Sequence, residues 1–206
     1  MKTSKNLNTL EWDTFLNEIL ENKEDIQKLE TFLGAALLKR NMNKFLFLLE
    51  EEDGPENCVN GIKLLLDCIT RLFDSNKVSR TLIESPFHFA DLINKDIYIS
   101  APPSYGENYL YITLKQIICK DDVVIDIKNK ENLKITKGKD LPMVILFNDE
   151  PIHIYENDEG MKRKMETISI FNTLHRKNYK KYLKDMTFFY KEKEAIKTKL
   201  ISMFKN

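Results

Sequence analysis

The stretch KFLFLLEEEDGPENCVNGIKLLLDCITRLF, from Lys44 to Phe73, decides how this chain folds. It begins with a short apolar run, continues into an acidic turn with Gly and Pro, and ends in a segment with apolar residues at helical spacing. A continuous apolar run of this length before a Gly-Pro turn is typical of a buried parallel strand. The stretch therefore predicts a strand, a loop and an amphipathic helix, which is the outline of a phosphate-binding loop.

Strands and helices alternate through the rest of the chain. Two amphipathic helices are predicted ahead of this stretch, over residues 8–21 and 24–39, and Asn8 is the expected N-cap of the first. Beyond it the apolar patterns predict strands over 96–101, 143–148 and 165–171, a helix over 107–120, and a hairpin with arms at 123–127 and 133–135. The residues after 171 are predicted to be helical and basic. This alternation implies an α/β sandwich with a mostly parallel sheet.

Charge and cysteine content narrow the functional classes. Basic and acidic residues balance at 32 each, so the net charge identifies no partner. The distribution is uneven, with ten Lys/Arg and three Asp/Glu from residue 172 to 206, and seven against twelve from residue 1 to 56. A basic end after an acidic beginning is a weak indication of an anionic partner, with nucleic acid first and a solvated helix face as the alternative.

The remaining composition predicts a cytoplasmic protein without membrane contact. The three cysteines show no CxxC spacing, which favours a reducing compartment and argues against a zinc site. The N-terminus has no apolar signal segment, and the sequence has no apolar run long enough to span a bilayer. The three histidines lie in separate segments, so we expect no metal centre.

The order of these pieces resembles the superfamily 3 helicase module of primase-helicases from phages, plasmids and large DNA viruses of the poxvirus type. Six weak motifs in the family's order carry the likeness, which covers residues 10–171. They include FADLINKDIYISAPPS, LKQIICKDDVVIDIKNKE, VILFNDEP and NDEGMKRKMETISIF. The resemblance implies an AAA+-like three-layer sandwich over residues 44–171, preceded by a helical segment over 1–43 and followed by a basic helical tail over 172–206.

The phosphate loop of this family departs from its pattern here. Such a loop needs a Lys for the β- and γ-phosphates and a hydroxyl for Mg²⁺. Aligned with the family's NGKS, Ile62 occupies the lysine position and Lys63 the hydroxyl position, and a shift by one residue puts Leu64 in place of the hydroxyl. Four carboxylates, residues 50–53, precede the loop and would each repel a polyphosphate by about 1 kcal/mol or more. The candidate residues of this degenerate phosphate loop are Gly54, Asn60, Gly61 and Lys63.

Other family positions give a mixed result. The strand DIYIS ends in Ala-Pro-Pro, where the family places an Mg²⁺-ordering carboxylate. The resemblance makes Asn148 sensor-like and Arg163 arginine-finger-like, although a strand-end amide and a basic surface cluster are the plain alternatives. It also implies DNA contacts for Lys128 and Lys130 at the hairpin tip, where an ordinary surface loop is the alternative.

The sequence therefore predicts a helicase-like DNA replication protein of a phage, virus or other mobile element. We expect no ATPase activity and no bound cofactor, and we expect the chain to act by binding DNA or replication proteins, alone or in an oligomer with helicase subunits. One alternative is an active ATP-dependent DNA helicase that uses ATP and Mg²⁺ through a divergent loop. Another is a regulatory or host-interaction protein that reuses the fold.

Overall fold

A computed structural model describes residues 9–20, 22–40, 42–51, 58–59, 61–103, 108–135, 141–148, 158–171, 174–175 and 187–205. The helices are α1 (Leu10–Ile19), α2 (Lys23–Leu37), α3 (Gly61–Leu72), α4 (Asn108–Cys119), α5 (Glu159–Lys162) and α6 (Thr187–Lys205), with 3-10 helices at Ser75–Lys77 and Pro86–Leu92. The strands are β1 (Phe45–Glu51), β2 (Cys58–Val59), β3 (Val78–Arg80), β4 (Ile97–Ser100), β5 (Val123–Ile125), β6 (Leu133–Ile135), β7 (Met143–Asn148), β8 (Met165–Phe171) and β9 (Leu174–His175). The strands and helices predicted ahead of residue 171 are present.

Two local predictions were wrong. The first helix begins at Leu10, so Thr9 and not Asn8 is at the N-cap position. The Thr9 hydroxyl donates to the Asp13 carboxylate at 2.9 Å instead of capping the backbone. Asn8 itself lies outside the described residues. The segment after residue 171, predicted to be helical, contains the short strand β9 before α6. β9 pairs antiparallel with β2, and this pairing satisfies backbone groups that a helix would satisfy internally.

A five-stranded sheet in the order β3-β4-β7-β1-β8 organises the fold. β3, β4, β7 and β1 pair in parallel, with Val78 opposite Ile97, Ile97 opposite Met143, and Leu46 opposite Ile145. All four residues of β4 are buried, as expected for a parallel strand covered on both faces. The predicted fold class, an α/β sandwich with a central, mostly parallel sheet, is confirmed.

The chain divides into two compact units. The first contains Met1–Leu38, Glu50–Phe73 and Ile168–Asn206, and the second contains Lys39–Leu49 and Asp74–Thr167. The domain boundaries predicted from the sequence stay predictions.

Helix packing dominates the first unit. Trp12 is fully buried, as its place in the apolar face of α1 predicts, and its indole Nε1 donates to Glu30 at 3.0 Å. Lys199 of α6 donates to Glu30 at 2.6 Å and to Asp13 at 2.7 Å, so the buried carboxylate has both an N–H donor and a counter-ion. These contacts join α1, α2 and α6, and they meet the requirement that a buried charge be paired.

An apolar core fills the second unit. Phe47, Tyr98, Leu114, Val144 and Leu146 are buried in it, and they come from β1, β4, α4 and β7. Tyr98 is fully buried, and its hydroxyl donates to the Thr81 carbonyl at 3.1 Å. The core holds the strands in register, which fixes the positions of the residues at the two ends of the sheet.

Within the part of the chain that the structure describes, no helix combines the length and the apolar character needed to cross a bilayer. α6 has 19 residues, but lysine and glutamate recur along it. The cytoplasmic location stays a prediction.

Candidate functional site

The first residue of α3 is a glycine with a packing role. Gly61 is buried, and a Cβ built there would lie 3.0 Å from Ile19 Cγ2 and 3.5 Å from Ile170 Cγ2. The start of α3 therefore packs closely against α1 and β8 within the first unit. Two of the candidate phosphate-loop residues, Gly54 and Asn60, lie outside the described residues.

The next two residues of α3 point in different directions. Ile62, which aligns with the family's lysine, is 4% exposed, whereas Lys63 is exposed. Successive residues of an α-helix are rotated by about 100°. The position that the predicted alignment equates with a phosphate-binding lysine thus holds an apolar side chain inside the first unit, and Lys63 lies one position further along.

Polar side chains end two strands at the carboxyl edge of the sheet in the second unit, but the described end of β4 has no carboxylate. Ser100 ends β4 with 1% exposure, and its hydroxyl donates to the Ala101 carbonyl at 2.7 Å. Ala101 is followed by two prolines, so the described end of β4, residues 100–103, has no acidic side chain for Mg²⁺. Asn148 ends β7 opposite Leu49, where ligands of parallel sheets bind.

Arg163 lies at the other edge of the same sheet. Its Nε donates to the Glu159 carbonyl at 3.1 Å at the end of α5. The backbone carbonyl of the next residue, Lys164, accepts a hydrogen bond from the Phe45 amide at 2.9 Å, at the amino end of β1. Asn148 is level with Leu49, four residues further along β1, which corresponds to about 13 Å. One chain therefore does not bring Asn148 and Arg163 into a single site.

The hairpin predicted to contact DNA is formed by β5 and β6. Val123 and Ile125 face the core, while Val124 lies opposite Lys134 on the outer face. Lys128 and Lys130 are exposed at the tip, and the turn closes with a hydrogen bond from the Lys130 amide to the Ile127 carbonyl at 3.1 Å. The two lysines thus extend into solvent from a buried base.

Asp158 is a residue that the sequence analysis missed. One carboxylate oxygen accepts from the Gly160 and Met161 amides at 3.0 and 3.1 Å, and the other accepts from Tyr111 at 2.7 Å and from Lys115. The Lys115 and Tyr111 donors lower the pKa of Asp158 to about 2. An Asp directly ahead of a short helix is an N-cap signal that could have found it. Lys115, which lies in the stretch LKQIICKDDVVIDIKNKE quoted above, therefore has a structural partner where α4 packs against α5.

The described residues show little evidence for a metal or nucleophile centre. No three His, Cys, Asp or Glu side chains among them are grouped as metal ligands. Cys68 is buried, and desolvation raises the pKa of its thiol to about 12, so it stays protonated and unreactive.

The chain is similar in fold to the C-terminal region of NrS-1. One apo structure of that region aligns with a TM-score of 0.61 and 16% identity, covering 94% of this chain and 51% of that chain. A second gives a TM-score of 0.59 and 16% identity, covering 95% and 46%. A structure of JCV helicase aligns with a TM-score of 0.44 and 11% identity, covering 85% of this chain and 54% of that chain.

Neither a family model nor a curated protein sequence matches this chain. The likeness to the NrS-1 region at 16% identity shows the fold alone. The chain spans about half the length of the NrS-1 structures, 51% of one and 46% of the other. The roles predicted for Lys63, Asn148, Arg163, Lys128 and Lys130 stay predictions.

Proposed function

We propose that this chain is a helicase-like replication protein of a phage, virus or other mobile element that lacks ATPase activity and acts by binding. The burial of Ile62, which is 4% exposed at the lysine position of the family's phosphate loop, carries this proposal. Phosphoryl transfer depends on a cation and a metal that stabilise the phosphate charge. The end of β4, which has no carboxylate among its described residues, supports the same conclusion.

DNA is the first partner that we propose, through the hairpin tip. Lys128 and Lys130 are exposed there, and the buried residues of β5 hold the hairpin base in place. Ammonium groups on such a tip can neutralise backbone phosphates without reading the sequence. Binding of this kind requires no nucleotide hydrolysis.

A helicase subunit is the second partner that we propose. Asn148 and Arg163 belong to opposite edges of the sheet, so a site that uses both groups requires two chains side by side. In this arrangement Arg163 would complete the nucleotide site of an active neighbour, while this chain contributes no turnover of its own. The partner chain would supply the phosphate-binding lysine and the metal ligands of that site.

ATP hydrolysis by the purified chain tests the absence of activity. With single-stranded DNA and Mg²⁺ present, we expect phosphate release at the rate of a protein-free control. Turnover at about 1 s⁻¹ or faster would be in the ordinary enzyme range. If Lys63→Ala removed such turnover and the exposed control Lys23→Ala kept it, the chain would be an active helicase with a divergent loop.

A further inference from the structure

Lysine ammonium groups bind the turns that precede the parallel strands of the second unit. Lys95 donates to the Asn76 carbonyl at 2.9 Å ahead of β3, and Lys77 donates to the Asn94 carbonyl at 3.2 Å ahead of β4. Lys120 donates to the carbonyls of residues 141 and 142 ahead of β7, the first at 2.9 Å. These three lysines therefore lie at the amino edge of the sheet.

Two more lysines continue the row toward β1 and β8. Lys164 donates to the Asn43 side chain ahead of β1, and Lys44 pairs with Glu166 at 2.8 Å at the start of β8. Backbone hydrogen bonds continue the strand pairing into the residues just ahead of β3 and β4. The Asp96 amide donates to the Lys77 carbonyl at 2.8 Å, and the Met143 amide donates to the Asp96 carbonyl at 3.0 Å. With neighbouring strands about 4.8 Å apart, five strands give a row about 19 Å long.

Most of this row is bonded to neutral oxygens. Lys77, Lys95, Lys120 and Lys164 donate to carbonyl or amide oxygens, and none of the four forms an ion pair with another described residue. Burial lowers the pKa of Lys120 to about 8, so it is still mainly protonated at neutral pH. Lys44 has a carboxylate partner in Glu166.

The surface around the row is mixed in charge. Lys39 pairs with Asp96 at 3.4 Å, and Asp74, Asp121 and Glu159 are exposed on the same loops. Arg40, Lys162 and Arg163 are exposed as well. The feature is therefore an ordered line of ammonium groups rather than a uniformly positive field.

We propose that this row, defined by Lys77, Lys95, Lys120, Lys164 and Lys44, binds the phosphodiester backbone of a nucleic acid. Each strand of duplex DNA carries one charge per about 3.4 Å of helix axis, so a row about 19 Å long runs past roughly six phosphates of one strand. A phosphodiester backbone carries one charge at every nucleotide whatever its sequence, so a line of ammonium groups can contact its phosphates at several points. An acidic protein segment would bind the row only where its sequence places carboxylates opposite the ammonium groups. The inference adds a second surface to the proposed DNA binding and rests on that function.

Fluorescence anisotropy with single-stranded and duplex DNA, from about 50 to 200 mM salt, tests the row. The edge variant Lys77→Gln/Lys95→Gln/Lys164→Gln keeps a hydrogen-bond donor at each position and removes three charges. Each phosphate contact to a single strand contributes about 0.7 to the salt slope, so we expect the slope to fall by about 2 and the affinity at low salt to fall roughly ten- to a hundredfold. Comparing the affinities for single-stranded and duplex DNA shows which of the two the row binds more tightly.

Matched variants separate this surface from the hairpin. Lys23→Gln/Lys28→Gln/Arg71→Gln removes the same charge from the first unit, outside the basic end of the chain, and should change affinity less than twofold. Lys128→Gln/Lys130→Gln tests the hairpin alone. Loss of binding in the hairpin variant with no loss in the edge variant would overturn the row and leave the proposed DNA binding intact. Loss of binding in the edge variant with no loss in the hairpin variant would support the row and rule out the hairpin role. A wild-type chain that binds neither single-stranded nor duplex DNA would overturn both the row and the proposed DNA binding.

Two further measurements test whether charge accounts for the binding and whether the ligand is a nucleic acid. Two milder variants replace the edge variant if a melting experiment shows that it is unfolded. Lys77→Gln alone should lower the salt slope for single-stranded DNA by about 0.7. Lys77→Arg/Lys95→Arg/Lys164→Arg keeps the charge and should retain the wild-type slope. A polyglutamate peptide of equal charge should compete poorly with the oligonucleotide. Equal or tighter binding of polyglutamate would assign the row to an acidic protein and overturn the nucleic-acid proposal.

Discussion

The carboxylate of Glu192, on the last helix, caps the first helix at Trp12. It accepts hydrogen bonds from the backbone amides of Trp12 at 3.1 Å and Glu11 at 3.2 Å. These amides belong to the first turn of α1, where Thr9 makes no side-chain cap. A negative group at a helix N-terminus satisfies orphan amides and interacts favourably with the helix dipole. α6 therefore completes α1 within the first unit.

Removal of this cap should destabilise the chain. We expect Glu192→Ala to lower the free energy of unfolding by about 1–3 kcal/mol, because two amides in a partly buried place lose their acceptor. Urea unfolding followed by circular dichroism measures the change. Glu194→Ala, at a side chain that is 84% exposed on the same helix, should cost less than about 0.5 kcal/mol. Equal losses in both variants would contradict the capping role.

Gly34 permits the close approach of α2 and α6. A Cβ built on Gly34 would lie 2.1 Å from the Leu200 carbonyl oxygen, which is a backbone atom that cannot rotate away. We expect Gly34→Ala to cost about 2–4 kcal/mol because the two helices must separate. Thermal unfolding measures it against Gln27→Ala, an exposed change on the same helix that should be neutral. A Gly34→Ala chain as stable as wild type would show that the helices do not pack this closely.

Asp158 should make stability depend on acid pH. Its pKa is lowered from 3.8 to about 2 by Lys115 and Tyr111, so the unfolded chain binds more protons between these values. The stabilisation is therefore complete above about pH 4 and is lost as the pH falls toward 2. At neutral pH we expect Asp158→Asn to cost about 1–2 kcal/mol, since the amide keeps the cap and loses the charge.

The test compares urea unfolding of Asp158→Asn and wild type at several pH values. The difference should shrink on acidification below about pH 4, whereas the exposed Asp121→Asn should differ little from wild type throughout. A difference that stayed constant down to pH 2 would mean that the Asp158 charge adds nothing to folding.

The sequence predicted the elements whose pattern is local and strong. The apolar run of β1 and the apolar face of α3 needed no tertiary information, because burial on both faces of a strand or one face of a helix fixes their period. β3 was missed because Val78–Arg80 is too short to show a period, and its place at the sheet edge comes from pairing with β4. The helix predicted after residue 171 was wrong at β9, where the partner strand β2 decides the conformation.

The sites were predictable only in part. That Ile62 occupies the lysine position could be read from the alignment with the family, but its burial depends on the packing around α3. The Glu192 cap and the Lys115–Asp158 pair join residues far apart in the chain, and no local pattern marks such partners. The lysine row also required the strand order, since its members belong to loops scattered along the sequence.

Thermal unfolding with Mg²⁺-ATP shows whether the start of α3, where Ile62 occupies the predicted lysine position, binds a nucleotide. At about 5 mM ATP, a site with a Kd of about 50 μM would add about 2.7 kcal/mol, enough to raise Tm by roughly 5–10 °C. We predict that Tm stays within about 1 °C of its value without nucleotide. A rise of several degrees that requires Mg²⁺ and disappears in Lys63→Ala would contradict the account.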